Sequence, residues 1–200
     1  MTASLWFGTI TLAPVVADYL MIHKDATIEL SLTDRFVDIV DEGYDLAIRI
    51  GELADSSLIA RKLRNFDIAI CASPVYLKLN GTPKNPADLL SHQCLGFTNW
   101  RSQGGWKLIG KEATAKRGQV PRFESNNAQA LRIAALKDLG IIMMPKDLLA
   151  EDLKAGSLVE LLEKDLPPTR PIHAVYPRET QAVPKLKSFV EYLIARLKAG

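Results

Sequence analysis

The chain has 200 residues, of which 48% are hydrophobic and 24% are charged, and its mean hydropathy is close to zero. These values are typical of a soluble globular protein that is long enough to bury one core or to divide it between two lobes. They exclude a disordered chain, a collagen and a small disulfide-stabilised protein. The net charge of +2 gives no indication of a nucleic-acid or membrane partner.

The cysteines and the N-terminal stretch indicate the cellular compartment of the protein. Cys71 and Cys94 lie in apolar, strand-like segments, and we interpret them as buried reduced thiols in preference to a disulfide. The N-terminus lacks the basic region of a signal peptide, and Asp18 interrupts its apolar stretch. The sequence therefore predicts a cytoplasmic protein without a membrane span.

The first fifty residues alternate between strand and helix patterns. The predicted elements are a strand at 2–4, a helix ending near Lys24, a strand at 28–32, a short helix and a strand at 46–50. In the short helix, Phe36, Val37 and Val40 are predicted to face inward, and Gly43 ends it. Parallel strands need a crossover connection, which a helix supplies. This alternation is therefore typical of an α/β unit with parallel strands.

The pattern changes after Cys71 to loops and then to a second α/β passage. The further predicted elements are extended segments or strands at 58–63, 66–72, 94–98, 106–109, 119–123, 141–144, 158–162 and 171–176, and helices from Asn126 or Asn127 to Gly140, at 148–153 and from Pro184 onward. Three prolines within 167–171 predict a linker before the last strand.

The sequence contains no catalytic or metal-binding motif with all the residues and the spacing that its chemistry requires. Residues 105–112 match a phosphate-binding loop through the lysine, but Glu112 stands where Ser or Thr must hold magnesium, and the intervening Trp-Lys-Leu-Ile is a strand sequence. The three histidines, His23, His92 and His173, are far apart and lack metal-ligand spacing. We expect no metal, no cofactor and no enzymatic activity.

Small polar residues stand instead where the predicted strands end. Ser4, Thr33 and Gly51 follow the first three strands, Thr98 follows a later one, and Asn126-Asn127 begins a helix. Ligands of open α/β sheets gather at such edges, where free N–H groups favour an anion or a carbonyl. Ordinary capping explains the same residues equally well. Trp6 and Phe7 either line a pocket or lie in the core.

One long block of the sequence closely resembles the effector-binding domain of LysR-type transcriptional regulators. The block runs Leu-Thr-Asp-Arg-Phe-Val-Asp-Ile-Val-Asp-Glu-Gly-Tyr-Asp-Leu-Ala-Ile-Arg-Ile-Gly over residues 32–51 and continues at 55–63. Further similar stretches occur at 71–77, 127–141 and 171–177. The resemblance covers nearly the whole chain.

The resemblance implies an α/β fold of the type 2 periplasmic-binding-protein kind, with two Rossmann-like subdomains joined by two crossing segments. Lobe I would comprise residues 1–71 plus about 170–200, and lobe II about 72–169. The family's effector contacts, carried over position by position, fall on Ser4, Leu5, Trp6, Thr33, Ile50, Gly51, Phe97, Thr98, Asn126 and Asn127.

The resemblance also implies partners: a small, plausibly anionic effector between the lobes, and a second copy in a dimer or higher oligomer. Members of the family begin with a helix-turn-helix domain, which this sequence lacks, so we expect DNA binding only through such a domain. Many members have a small hydroxyl residue where Trp6 stands. The alternatives are a solute-binding protein of a transporter, which would need a secretory signal, and an enzyme on the same scaffold, which would need a base or nucleophile.

Overall fold

The structure, a computed structural model, describes residues 1–51, 57–103, 105–109 and 121–198. The strands are β1 (Thr2–Ala3), β2 (Ser31–Leu32), β3 (Ala47–Ile50), β4 (Ile59–Phe66), β5 (Ile68–Ala72), β6 (Gly96–Phe97), β7 (Glu124–Ser125), β8 (Ile142–Pro145), β9 (Val159–Leu161) and β10 (Arg170–Tyr176). The α-helices are α1 (Leu5–Phe7), α2 (Ala13–Ile22), α3 (Pro74–Asn80), α4 (Ala128–Leu136), α5 (Lys146–Ala155) and α6 (Pro184–Lys198).

The chain divides into two compact units. Unit 1 comprises Met1–Phe66 and Arg170–Gly200, and unit 2 comprises Asp67–Thr169. The chain therefore passes from one unit to the other twice. The sequence-based division assigned residues 67–71 to lobe I, whereas β5 pairs with β8 and β9 of unit 2.

Unit 1 is organised around a five-stranded sheet in the order β2-β1-β3-β10-β4. β1 is parallel to both β2 and β3, as predicted from the alternation of strands and helices. β10 is antiparallel to its neighbours β3 and β4. Helix α6 buries Phe189, Val190, Leu193 and Leu197, which confirms the helical spacing read from the sequence.

A single helical run leads away from β1. It consists of α1, a π-helical turn over Gly8–Leu12, and α2. A Cβ atom on Gly8 would lie 2.1 Å from the side chain of Leu32 in β2, so the glycine allows the helix to pack closely on the sheet.

By length and composition alone, the run Leu5–Ile22 could cross a membrane, with a mean hydropathy of 1.6. Asp18 lies inside this run, so its charge alone does not exclude the run by length and composition. Phe7, Leu12 and Tyr19 of the run are buried, and Asp18 forms an ion pair with Arg196 of α6. These contacts are those of a core helix with one charged, solvent-facing side.

Unit 2 contains the sheet β8-β5-β9 and the parallel pair β6-β7. A bridge between Cys94 and Ile141 connects the segment leading into β6 with the segment leading into β8. Helix α4 begins at Asn127, whose side chain accepts the N–H of Ala130 at 3.1 Å, and buries Leu131 and Ala135.

The helix predicted around residues 36–40 does not form. Asp38 Oδ1 accepts the N–H groups of Val40 and Asp41 at 2.9 and 3.1 Å, which stabilises turns in place of a helix. Val37 is buried as expected, but Phe36 and Val40 are 84% and 62% exposed. Gly43 has the predicted positive φ, at 68°, and follows these turns.

Several strand predictions also need correction. The strand predicted at 28–32 is reduced to β2, and residues 105–109 form a 3-10 helix instead of a strand. Part of the segment 119–123 lies outside the described residues, and β7 begins only at Glu124. Pro171 belongs to β10 and not to a linker, because its carbonyl oxygen accepts the N–H of Gly51 at 2.8 Å.

Helix α4 ends earlier than the sequence predicts. The residue with positive φ is Asp138, at 62°, and not Gly140. The Asp138 carboxylate accepts a hydrogen bond from the buried Ser73 hydroxyl, which holds this residue in the left-handed region. Gly140 is needed for a different reason: a Cβ there would lie 2.2 Å from the carbonyl oxygen of Gln93.

His92 makes the stability of unit 2 dependent on pH. The hydroxyl of Tyr76 accepts the N–H of Gln93 at 2.9 Å and lies 3.2 Å from His92 Nδ1, within hydrogen-bonding distance. Burial lowers the pKa of His92 below its usual range, against the opposing charge of Asp88. The unfolded chain therefore binds a proton more readily, and we expect the free energy of unfolding to fall as the pH drops below about 6.5.

Urea denaturation at pH 7.5 and pH 5.5 measures this dependence. In His92→Asn, whose amide oxygen can accept from Tyr76, we expect the difference between the two pH values to shrink. His23→Asn is the matched control, because His23 is exposed, and it should retain the wild-type difference. An unchanged difference in His92→Asn would contradict this account.

Candidate functional site

Unit 1 brings three of the predicted contact segments to one edge of its sheet. Ser4, Thr33 and Gly51 directly follow the parallel strands β1, β2 and β3. The N–H of Thr33 donates to the carbonyl oxygen of Ala3 at 3.0 Å, which joins the first two of these strand ends. This arrangement agrees with the prediction that polar groups collect at the carboxyl edge of the sheet.

Asp34 is a residue at this edge that the sequence analysis did not assign to the site. Its Oδ1 accepts the N–H of Leu5 at 2.9 Å, so it caps the helical run that starts after β1. Burial raises the pKa of this carboxyl, against the opposing hydrogen bond from Leu5. A Thr-Asp pair after an alternating segment usually caps the residues that follow it, whereas the helix capped here begins 29 residues earlier in the chain.

The hydroxyl of Ser4 is buried and has no hydrogen-bond partner among the described residues. A buried hydroxyl without a partner destabilises a folded protein by about 1–3 kcal/mol, so such groups are uncommon and call for an explanation. Thr33 differs, because its Oγ1 accepts the N–H of Arg35 at 3.3 Å. Ser4 is therefore a polar group at this edge with unused hydrogen-bonding capacity among the described residues.

The remaining predicted positions of unit 1 are apolar. Trp6 is 5% exposed, and its ring packs against the rings of Phe7 and Phe66 at centroid distances of 5.5 and 5.9 Å. Those contacts favour the interpretation of Trp6 and Phe7 as core residues. Leu5 and Ile50 are partly exposed.

In unit 2, the predicted contact residues lie at the ends of one parallel pair of strands. Phe97 is paired with Ser125 in β6 and β7, so Thr98 and Asn126 follow neighbouring strand ends. Asn127 caps α4, and its own N–H donates to Ser125 Oγ at 3.0 Å. Phe97 and Thr98 are partly exposed, and Asn126 is exposed.

The predicted positions at the two edges supply Ser, Thr and Asn side chains and backbone groups. These groups can form hydrogen bonds, but they do not form a catalytic constellation. Within the described ranges, no group of three or more His, Cys, Asp or Glu side chains could hold a metal ion. The first turn of a helix leaves N–H groups free for an acceptor. These positions therefore supply hydrogen-bond donors and acceptors.

The cysteines are placed too far apart for a disulfide. Cys71 is opposite Ile142 and Cys94 is opposite Ile141, on the two sides of the β8 segment. Two strand spacings separate them by about 9–10 Å, and adjacent residues of a strand face opposite sides of a sheet. Both are free thiols, as predicted; Cys71 is buried and Cys94 is partly exposed.

We expect both thiols to be inert in the folded protein. Burial raises the pKa of Cys71 and of Cys94 to about 12. At pH 8 a thiol with that pKa is ionised in about one molecule in ten thousand, and the thiolate is the reactive form. Alkylation of the native protein by iodoacetamide, followed by mass spectrometry, should be at least about a thousandfold slower than alkylation of the protein unfolded in guanidinium chloride. Rapid alkylation of the native protein would contradict the prediction.

Comparison with known proteins identifies the class to which this fold and these edges belong. The family model described as the LysR substrate binding domain matches residues 1–198. The regulatory domain of CrgA, a LysR-type transcriptional regulator from Neisseria meningitidis, superposes with a TM-score of 0.85 at 29% identity, covering 98% of this chain and 96% of that chain. The fold is therefore the two-subdomain, type 2 periplasmic-binding-protein-like fold that the resemblance implied.

This chain belongs to the LysR substrate binding domain family. An uncharacterised HTH-type transcriptional regulator of Haemophilus influenzae is 36% identical over 86% of the chain and 59% of its own length. CrgA from Neisseria meningitidis serogroup B is 31% identical over 93% of the chain and 62% of its own length. The chain thus spans about three fifths of the length of these relatives.

Proposed function

We propose that a small, anionic metabolite binds between the two lobes and contacts both carboxyl edges. In this proposal lobe I comprises unit 1 and lobe II comprises unit 2. Hydrogen bonds come from Ser4, Thr33, Thr98 and Asn126, and the N–H groups at the starts of the first helical run and of α4 stabilise the negative charge. The observation that carries this proposal is the buried Ser4 hydroxyl, which has no hydrogen-bond partner in the part of the chain that the structure describes.

Binding would change the relative angle of the lobes. A ligand shifts such an equilibrium only by its difference in affinity for the two arrangements, and a change from 1:99 to 99:1 requires about 5.5 kcal/mol. In a dimer or higher oligomer of a full-length, cytoplasmic regulator, the change would reposition DNA-binding domains. This part of the proposal rests on membership in the family and on the two-unit division of the chain.

The first experiment is a thermal-shift screen of anionic metabolites, followed by calorimetry on the strongest binder. Ser4→Ala should weaken binding about tenfold, the effect of losing one hydrogen bond. The same substitution should leave the unliganded protein as stable as wild type or more stable, because it removes a buried group without a partner. Thr33→Ala should also weaken binding.

Ser31→Ala is the matched control on the same sheet. The Ser31 hydroxyl accepts from the Tyr44 hydroxyl at 3.2 Å and lies in β2, before Thr33. Its loss should reduce stability slightly and leave the affinity unchanged. Unchanged affinity in both Ser4→Ala and Thr33→Ala would refute the proposed site.

A further inference from the structure

Three adjacent strands of unit 1 carry an unusual excess of positive charge. The strands are β3, β10 and β4, which are neighbours in that order. Their cationic residues are Arg49, Arg61, Lys62, Arg64 and Arg170, with His173 in addition. None of the three strands contains an Asp or a Glu.

The strand register places three of these residues in one row. His173 is directly opposite Arg49 on one side and directly opposite Lys62 on the other. Side chains directly opposite each other in an antiparallel pair share a face, with their Cβ atoms about 5 Å apart. Arg49, His173 and Lys62 therefore form a row across three strands, which we call the basic row.

Protection of a sheet edge does not explain the basic row. Lysine on an edge strand prevents pairing with other chains, and this accounts for Lys62 in the edge strand β4. β3 and β10 are inner strands, so the same reason does not apply to Arg49 or His173. Arg49 and Lys62 flank His173 from the two neighbouring strands, about 10 Å apart, so a bound anion could lie between their two charges.

The surroundings of the row hold Arg49 in place and leave Lys62 exposed. The guanidinium of Arg49 donates to the carbonyl oxygen of Val37 and lies 4.7 Å from the ring centroid of Phe36. The acidic groups that act on Arg49 are Asp38 and Glu42, and the latter forms an ion pair with Arg35. Lys62 is exposed.

We propose that the basic row binds a compact polyanion, held between the charges of Arg49 and Lys62, whose strands lie about 10 Å apart, and hydrogen-bonded by His173. The site is distinct from the proposed effector site, because Arg49 and Ile50 are consecutive strand residues and face opposite sides of the sheet. The ligand class comprises small molecules with two or more phosphate or carboxylate groups. Phosphate and carboxylate match the bidentate geometry of the arginine guanidinium.

Calorimetry with pyrophosphate, at an ionic strength matched with sodium chloride, tests this site. Lys62→Gln should weaken pyrophosphate binding about tenfold, the effect of one charge-assisted hydrogen bond. His173→Gln should weaken it as well. Lys137→Gln is the control, since Lys137 is an exposed lysine of unit 2, and it should bind like wild type.

Ser4→Ala separates this proposal from the effector site, and it should leave pyrophosphate binding unchanged. The proposal is overturned if wild type does not bind pyrophosphate, or if Lys137→Gln weakens binding as much as Lys62→Gln does. Because Lys62 is exposed on an edge strand, its substitution leaves the fold intact, which circular dichroism verifies.

Discussion

Arg132→Ala should destabilise the protein by about 3–5 kcal/mol, the typical cost of leaving one charge of a buried ion pair without its partner. Arg132 of α4 holds the carboxylate of Asp152 of α5 through two nitrogens, with Nη2 donating to Oδ1 at 2.7 Å. Asp152 is only 6% exposed. The carboxylate would therefore remain buried and unpaired in the variant, and urea denaturation measures the loss.

Lys146→Ala is the matched control in the same unit. Lys146 also forms an ion pair through two hydrogen bonds, to both oxygens of Glu160 at 2.8 and 2.9 Å, but the lysine side chain is 47% exposed. Exposed pairs contribute about 0–1 kcal/mol, so the loss should be small. Equal losses in the two variants would show that burial of Asp152 does not govern the stability of this pair.

Gly140→Ala should be the second strongly destabilising substitution, with a loss of about 3 kcal/mol from overpacking. The new Cβ would lie 2.2 Å from the Gln93 carbonyl oxygen, which accepts the N–H of Ile141 at 2.8 Å. A backbone oxygen in a ladder cannot rotate away as a side chain can. The substitution therefore strains the connection between the β6 and β8 segments, and β6 leads to the predicted contacts Phe97 and Thr98.

Gly156→Ala distinguishes this clash from a general cost of replacing glycine. Gly156 ends α5 with φ of 69°, and a Cβ there would meet no atom within 4 Å. Alanine in the left-handed region costs about 1–2 kcal/mol. Thermal or urea denaturation should therefore rank Gly140→Ala as the more damaging variant. The reverse order would contradict the steric explanation.

The parallel pairing of β1 with β2 and β3 could be predicted because it follows from local patterns. Strand and helix signals alternate, and parallel strands need crossover connections, so an α/β unit with parallel strands was expected. Helix α6 was predictable because its apolar spacing continues over fifteen residues. The helix expected near Phe36 failed because the Asp38 side chain competes for backbone N–H groups, which the apolar spacing does not reveal.

The strand-end positions of Ser4 and Thr33 were predictable, but the hydrogen bonding around them was not. Only packing shows that the Ser4 hydroxyl is buried without a partner among the described residues. The role of Asp34 depends on contact with Leu5, 29 residues away. The core position of Trp6 likewise depends on Phe66, which lies in a distant strand. Each of these facts comes from tertiary contacts and not from a local pattern.

The most direct test of effector binding is an NMR titration of the isotope-labelled chain with the strongest anionic binder from the screen. We expect saturable shifts of the backbone amides of Ser4 and Thr33 in unit 1, and of Thr98 and Asn126 in unit 2. Ser4→Ala should weaken the titration at all four positions together. Saturable shifts confined to other residues, with these four amides unmoved, would contradict the assignment of the effector site.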